Sequence, residues 1–385
     1  MNINALNELG KQETSLNLFS IHIEKLIIDE HAVEMLLDYV SKKSYRTIKL
    51  ITDANIWNLY GQDLVKRFNQ DHLLPTTIIA ENKQGDVVAD ERAIMQALLE
   101  TPNEVDVFIA LGSGTIHDIT RIASYKMKVP FISVPTAPSV DGFNSMGAPL
   151  IINEHKVTYQ TQAPIALFAP LAWLKDAPKE MIAAGFGDML GKITSLADWK
   201  FGHLSANEPY SDIVANMTRH ALNRCLDSLP LLMSHDEKGI KILMESLVES
   251  GLAMLMLGQS HPASGGEHHL SHYWEMDFIK QNKKQVLHGT KVAIATLAII
   301  EYYKKNMNTL FENVEMDESS QKEIQELIAK FPDPKLLKRW IEEIGGKTSI
   351  ADISVSPNLF EESLSHAHTI RNRYTMLRYI NENKK

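Results

Sequence analysis

Cysteine is nearly absent: Cys225 stands alone in 385 residues. One cysteine forms no disulfide within the chain and no multi-cysteine zinc or iron–sulfur site, so any metal must be held by His, Asp and Glu. A basic excess is also missing. Lys+Arg number 39 against 48 Asp+Glu, a formal net charge of −9. A chain without a basic face is a poor partner for a phosphate backbone, and nucleic acid is not expected as a ligand. Long apolar runs are lacking too. Val105–Leu111 and Ile165–Leu174 fall short of the ~20 apolar residues of a spanning helix, and Pro170 interrupts the second. The N-terminal residues show no basic start followed by an apolar core, and the polar Asn381–Lys385 end carries no lipidation pattern. No membrane partner is expected, and a cytoplasmic location is. What is present suits a globule: 44% hydrophobic and 23% charged residues exclude collagen-like and disordered classes. The length favours two domains.

The two halves differ in texture. Arg46–Asp53, Pro75–Ala80, Val105–Gly112 and Val129–Val134 are short, rich in β-branched residues and closed by polar or turn-prone residues, as buried strands are. Helical stretches such as Asp90–Glu100 lie between them, and strand–helix alternation predicts a parallel sheet covered by helices. Ile151–Thr161 reads as a hairpin with a polar tip at Asn153–Lys156. Beyond Asp176–Pro178, where a proline can open a helix, helical periodicity dominates, as in Ile240–Leu257, Val292–Lys304 and Gln321–Lys330. The expected division is an α/β domain over residues 1–177 and an all-α domain over residues 178–385. The acidic stretch Glu312–Glu326 is expected as a solvated helix face with its connecting loop.

Chemistry concentrates at a few motifs. The third strand runs into Gly112-Ser113-Gly114-Thr115-Ile116-His117-Asp118. Strand, glycine turn and helix present backbone N–H groups and a helix N-terminus to phosphate. His117 stands where the usual fingerprint has a third glycine, so an ordinary tight turn is the competing reading. A proline-stiffened polar loop, Pro135–Ser145, follows the next strand, where α/β sheets bind ligands. Asp53 closes an earlier strand; an acid there can bond a ribose 2′-hydroxyl, and it can equally cap a helix. The helical half carries Gly185–Lys192, Ser264–His272 and His288–Lys291. His268 and His272 are four apart and share a helix face. One acid and two imidazoles with an open position suit a catalytic divalent metal, although histidines also cluster by chance or cap helices. His261 and His269 are expected in structural or exposed roles.

At these residues the chain resembles the glycerol-1-phosphate dehydrogenase family, in its bacterial AraM-like branch, within the dehydroquinate synthase/iron-containing alcohol dehydrogenase superfamily. The carrying motifs are Ile51–Asp53, Gly112–Arg121, Ser133–Ser145, Gly185–Lys192, Ser264–His272, His288–Ala293 and His368–Leu377, in order along nearly the whole chain. The resemblance implies a Rossmann-like domain and a helical metal-binding domain of the dehydroquinate synthase type. It implies Asp188, His268 and His288 as metal ligands. His268 is chosen over His269 because it keeps the four-residue step to His272. It further implies Gly114, Thr115, Ile116, His117 and Asp118 around the cofactor pyrophosphate. Thr136, Ala137, Pro138, Ser139 and Ser145 fall on the nicotinamide side, and Asp53 at the adenosine ribose. Asp141, Asp188 and His272 are the implied substrate contacts, with His272 and Asp188 catalytic. Phe143 departs from the pattern of some relatives, and an altered pocket width is the expectation that goes with it.

The implied reaction is the reversible, metal-dependent reduction of dihydroxyacetone phosphate to sn-glycerol 1-phosphate with NAD(H) or NADP(H). One divalent metal, nickel or zinc, would act as Lewis acid, and His272 is the side chain to test as a proton relay. Lys192, Lys291, Arg371 and Arg373 are the candidates for the substrate phosphate. A homodimer is the family-based expectation. The rival readings are a glycerol or alcohol dehydrogenase, a dehydroquinate synthase-like enzyme, and a non-catalytic nucleotide-binding protein of the same fold.

Overall fold

The computed structural model describes residues 2–68, 72–312, 314 and 316–383. Its first half is built on six parallel strands: β1 (Lys25–Asp29), β2 (Ile48–Asp53), β3 (Thr76–Ile79), β4 (Val107–Gly112), β5 (Phe131–Pro135) and β8 (Ala166–Pro170). They lie in the order β1-β8-β5-β4-β2-β3. Every residue of β4 and β5 is buried, because helices cover both faces, so these strands read as continuous apolar runs. Two apolar layers result, one around Leu50, Ile109 and Val134 and the other around Ile51, Phe108 and Phe131. The four expected strands form, with no end moved by more than two residues. Asp90 caps the Glu91–Leu99 helix by accepting from the Ala93 amide at 2.9 Å. The strand order turns back between β2 and β4, which opens a crevice at their C-terminal ends.

The hairpin differs from its expected register. β6 (Gly147–Ile152) and β7 (His155–Gln160) pair antiparallel, so the first strand begins four residues before Ile151. The tip is only Asn153–Glu154, both at positive φ, the backbone that a two-residue hairpin turn demands and that Asn tolerates.

Helices begin in earnest at Pro178, which opens Lys179–Leu190. Glu237–Leu257 is capped by Asp236 and stopped by Gly258 at φ +73°. Gly266–Lys280 and His288–Lys305 follow. The acidic stretch forms the end of Met307–Glu312, a connection and Glu318–Ala329, with Asn313 and Glu315 outside the described residues, as are Lys384 and Lys385 of the polar end. The N-terminal segment does not join the sheet. Ile21 and Ile23 belong to the core of the helices, and the Phe19 amide donates to the Met256 carbonyl at 2.7 Å. Leu167, Ala169 and Leu174 from the β8 side enter that same core, so one apolar mass joins the two halves. Among the described residues, no helix is long and apolar enough to cross a membrane. Cys225 is buried in the helical core, and burial pushes its thiol up to about 12.

Candidate active site

The crevice side is assembled from two loops. Gly112 ends β4 at φ +155°, a backbone that side chains rarely adopt, and the Gly114–Met127 helix follows at once. The Thr136 amide donates to the Gly112 carbonyl at 3.2 Å, tying the loop after β5 to the glycine turn. Arg121, fully buried, strengthens this tie. Its guanidinium pairs with Asp118 at 2.6 Å and donates to the carbonyls of Gly142 (2.6 Å) and Gly147 (2.9 Å). Burial pushes Asp118 up to about 7, against the pull of Arg121.

Within the glycine motif the side chains divide. Ile116 and His117 face the core. The His117 Nδ1–H donates to the Ser113 carbonyl at 2.9 Å, and Nε2 accepts from the Ser133 hydroxyl at 2.8 Å. Burial drops its pKa to about 3, so it is a neutral brace beneath the turn. Phe143 packs edge-on to it at 4.8 Å and is 1% exposed, inside the core and not at a pocket wall. Gly114, Thr115 and Asp118 remain partly accessible. Thr136, Ala137 and Ser139 are buried in the second loop, and the Ser145 hydroxyl bonds the Gly142 and Gly147 carbonyls, each at 3.3 Å. Asp53 acts as a cap, its Oδ1 accepting from the Ile56 amide at 2.9 Å, and burial raises its pKa. It stands two residues beyond Ile51, whose partner Ala110 lies two before Gly112, so it flanks the crevice.

The metal-type donors meet where three helices cross. A Cβ added at Gly185 would strike the Pro138 carbonyl, one at Gly187 the Gly289 carbonyl, and one at Gly289 the Ala184 carbonyl. These glycines let the Lys179–Leu190 helix touch the second loop and the start of the His288–Lys305 helix. That contact brings Asp188, His268 and His288 together, with one ligand atom from each within 4.8 Å of the others. Glu267 orients His268: Nδ1 bonds Glu267 Oε1 at 2.7 Å, while the Thr194 hydroxyl holds Oε2 at 2.6 Å. His268 Nε2 is left facing Asp188 Oδ1, 3.8 Å away. A carboxylate behind the imidazole is the usual support of a metal-binding histidine. Burial keeps His288 well below the ordinary imidazole range, hence neutral and able to ligate. The donor set fits a divalent metal.

Lys192 supplies positive charge beside these donors. It is fully buried, 2.8 Å from both Asp188 Oδ1 and Asp141 Oδ2. Burial works against its charge, but the two carboxylates hold its pKa above the ordinary lysine value. The Asp141 amide donates to Asp188 Oδ2 at 3.0 Å and the Ser250 hydroxyl to Asp141 Oδ2 at 2.9 Å. A second trio, His272, Glu275 and His288, is equally compact. Two of its three members are already engaged, because Lys156 and Lys291 pair with Glu275 and Arg371 donates to His272 Nε2 at 3.0 Å.

Two kinds of relative match the chain. The model of the iron-containing alcohol dehydrogenase family matches residues 27–178. The glycerol-1-phosphate dehydrogenase [NAD(P)+] of Geobacillus thermodenitrificans is 48% identical, covering 97% of this chain and 96% of its own. The chain belongs to the glycerol-1-phosphate dehydrogenase family. A second member, from Geobacillus stearothermophilus, is 46% identical over 94% of each chain. The crystal structure of a glycerol dehydrogenase from Schizosaccharomyces pombe superposes with a TM-score of 0.68 at 17% identity, covering 97% of this chain and 88% of that one, which shows the shared fold.

In this glycerol-1-phosphate dehydrogenase family member, the four proposed phosphate cations part company. Lys192 is committed to Asp141 and Asp188. Arg373 is a clamp, donating to the carbonyls of Ser264 and His261. Lys291 and Arg371 surround Glu275 and His272. His269 is not part of either donor trio: it is buried and neither ring nitrogen has a hydrogen-bond partner. Sequence reasoning missed four supporting residues. Glu267 and Arg121 lie inside recognised motifs, and their partners reveal their roles. Asp198 accepts from the Gly266 amide and the Tyr303 hydroxyl, anchoring the start of the helix that carries His268. Lys156, on the hairpin, reaches Glu275 from the other half, a contact 119 residues apart in sequence.

Proposed function

We propose that the chain catalyses the reversible reduction of dihydroxyacetone phosphate to sn-glycerol 1-phosphate with NAD(H) or NADP(H). It would use one divalent metal held by Asp188, His268 and His288. The observation that carries this reading is the convergence of one ligand atom each from Asp188, His268 and His288 within 4.8 Å of one another, in a chain 48% identical to a named member. Nickel or zinc suits a set of one carboxylate and two imidazoles.

When bound, the ion polarises the substrate carbonyl and the reduced nicotinamide supplies the hydride. The chain does the rest. The glycine turn at Gly114–Thr115 and the loop Thr136–Ser139 orient the cofactor, with Asp53 at its adenosine ribose. Asp141, carried by the second loop, holds the substrate against the helices. His272 sits one turn from His268, its ring centre 5.6 Å from that of His288. Glu275 Oε2 lies 3.4 Å from its Nδ1. Lys156 and Lys291 hold Glu275 well below the carboxylate range despite its burial. Burial, with Lys156 and Arg371 nearby, holds His272 well below the ordinary imidazole range, so it is neutral at rest, and Glu275 opposes this only in part; from that place His272 relays the proton to and from the product oxygen. The protein works as a cytoplasmic homodimer without nucleic-acid or membrane partners.

The test is NADH consumption by metal-replete protein offered dihydroxyacetone phosphate, dihydroxyacetone and glyceraldehyde. Preference for the phosphorylated ketone supports the reading. Preference for an unphosphorylated carbonyl, or no net cofactor turnover, overturns it in favour of a glycerol dehydrogenase-like or dehydroquinate synthase-like enzyme.

A further inference from the structure

Positive charge is in excess around one buried carboxylate. Glu275 is paired with Lys156 at 2.7 Å and with Lys291 at 3.1 Å; the side chains are 14%, 12% and 2% exposed. Arg371 reaches His272, whose Nδ1 lies 3.4 Å from the same carboxylate. Its Nη2 donates to His272 Nε2 at 3.0 Å and its Nη1 to the Ser264 hydroxyl at 3.0 Å. Among the described residues it has no carboxylate within ion-pair distance. Two cations thus share one carboxylate, and a third, Arg371, stands beside them with no carboxylate partner of its own. Unbalanced buried cations are costly unless an anion arrives to match them. Burial already lowers Arg371 to about 10, with Arg373 adding to the repulsion.

Resting on the proposed reaction, we infer that Lys156, Lys291 and Arg371 form the subsite for the substrate's phosphate. A phosphate monoester carries a charge near −2 and three acceptor oxygens, matching this excess. Arginine's fork and two ammonium groups are the side chains that recognise it. The place is right as well. His272, which Arg371 touches, packs beside His268 and His288 with ring centres 6.1 and 5.6 Å away, the short reach of a triose from carbonyl to phosphate. The three cations come from distant parts of the chain. Lys291 rides on the His288–Lys305 helix and Arg371 on the C-terminal segment. Lys156 sits on the hairpin of the α/β half, so the subsite is complete only when that hairpin lies on the helices. Arriving phosphate also competes with His272 for Arg371, freeing His272 Nε2 to face the reacting oxygen.

The cofactor's pyrophosphate has the same chemistry, and the experiment separates the two sources. Steady-state kinetics of the metal-loaded enzyme are measured with dihydroxyacetone phosphate, with dihydroxyacetone and with varied NADH, for wild type, Lys156→Ala, Lys156→Arg and Arg371→Lys. Calorimetric titration with inorganic phosphate accompanies them. The expected result is a fall of roughly 10- to 100-fold in the ratio of kcat/KM between the two ketones for Lys156→Ala and Arg371→Lys. Weaker phosphate binding, retention of the ratio in Lys156→Arg and an unchanged KM for NADH complete it. A preserved ratio in Lys156→Ala, whose hairpin position spares the core, overturns the inference, and so does a rise confined to the KM for NADH. If wild type shows no preference for the phosphorylated ketone, the proposed reaction itself fails, an outcome distinct from loss of the subsite alone.

Discussion

Replacing Gly289 with alanine tests whether helix spacing sets the metal geometry. Gly289 follows His288, and its backbone lies against the Ala184 carbonyl on the helix carrying Asp188; an added Cβ would fall far inside the 3.0 Å limit for such contacts. Neither partner is the tip of a flexible side chain, so the two helices must part, by on the order of 1 Å. Overpacking of this kind costs about 1–3 kcal/mol. A displacement of about 1 Å at reacting groups costs roughly 100-fold in rate. The assay combines thermal unfolding, metal content after dialysis against graded chelator, and turnover at saturating substrate. Gly10→Ala is the control, since its added methyl meets only the flexible end of Met256 at 3.0 Å. Gly289→Ala should melt lower, bind metal more weakly and lose most turnover, while Gly10→Ala changes none of these. A Gly289→Ala protein with wild-type metal affinity and rate would refute the argument that this crossing positions Asp188 against His288.

Glu267→Gln removes the carboxylate behind His268 and should weaken metal binding about 10- to 100-fold, read by chelator competition; unchanged affinity contradicts the orienting role. Lys192→Met leaves Asp141 and Asp188 facing each other in a buried site and should destabilise metal-free protein by about 3–5 kcal/mol. Added metal should recover part of that loss in denaturant titrations, and equal stability with and without metal argues against it. His117, whose pKa falls from an ordinary 6.5 to about 3 through burial, is neutral in the folded protein. A depressed histidine contributes stability in full above its unfolded pKa and loses it as pH falls. Stability should therefore drop by about 1.4 kcal/mol per unit between pH 6.5 and 3 on its account, and His117→Gln should flatten that limb. Asp53→Ser keeps a capping oxygen and removes the charge, so it should lower the KM for NADPH more than for NADH.

The central strands were legible because helices cover both faces, so β2, β4 and β5 are near-continuous apolar runs. β1 and β8 were not: β1 is a partly exposed edge, and β8 is fused with the following helix in the single apolar run Ile165–Leu174. The hairpin was visible, but its turn was read two residues too long because Lys156 is polar. That lysine is polar for its contact with Glu275, not for exposure at a tip. The donor trio could be named from motifs, and the choice between His268 and His269 follows physically from which face of the helix meets Asp188. His117 shows the opposite case: a histidine inside a cofactor-loop motif whose side chain serves the core. Contacts between distant segments, such as Lys156 with Glu275 or Asp198 with Gly266, leave no local pattern to read.

The most direct test of the account is metal reconstitution. The protein is stripped, nickel or zinc is titrated back, and NADH oxidation with dihydroxyacetone phosphate is followed alongside metal content, for wild type and His268→Ala. The account predicts no turnover without metal, recovery complete at one ion per chain, sn-glycerol 1-phosphate as product, and neither recovery nor stoichiometric binding in His268→Ala. Full activity in stripped protein, or normal metal binding in His268→Ala, would contradict it.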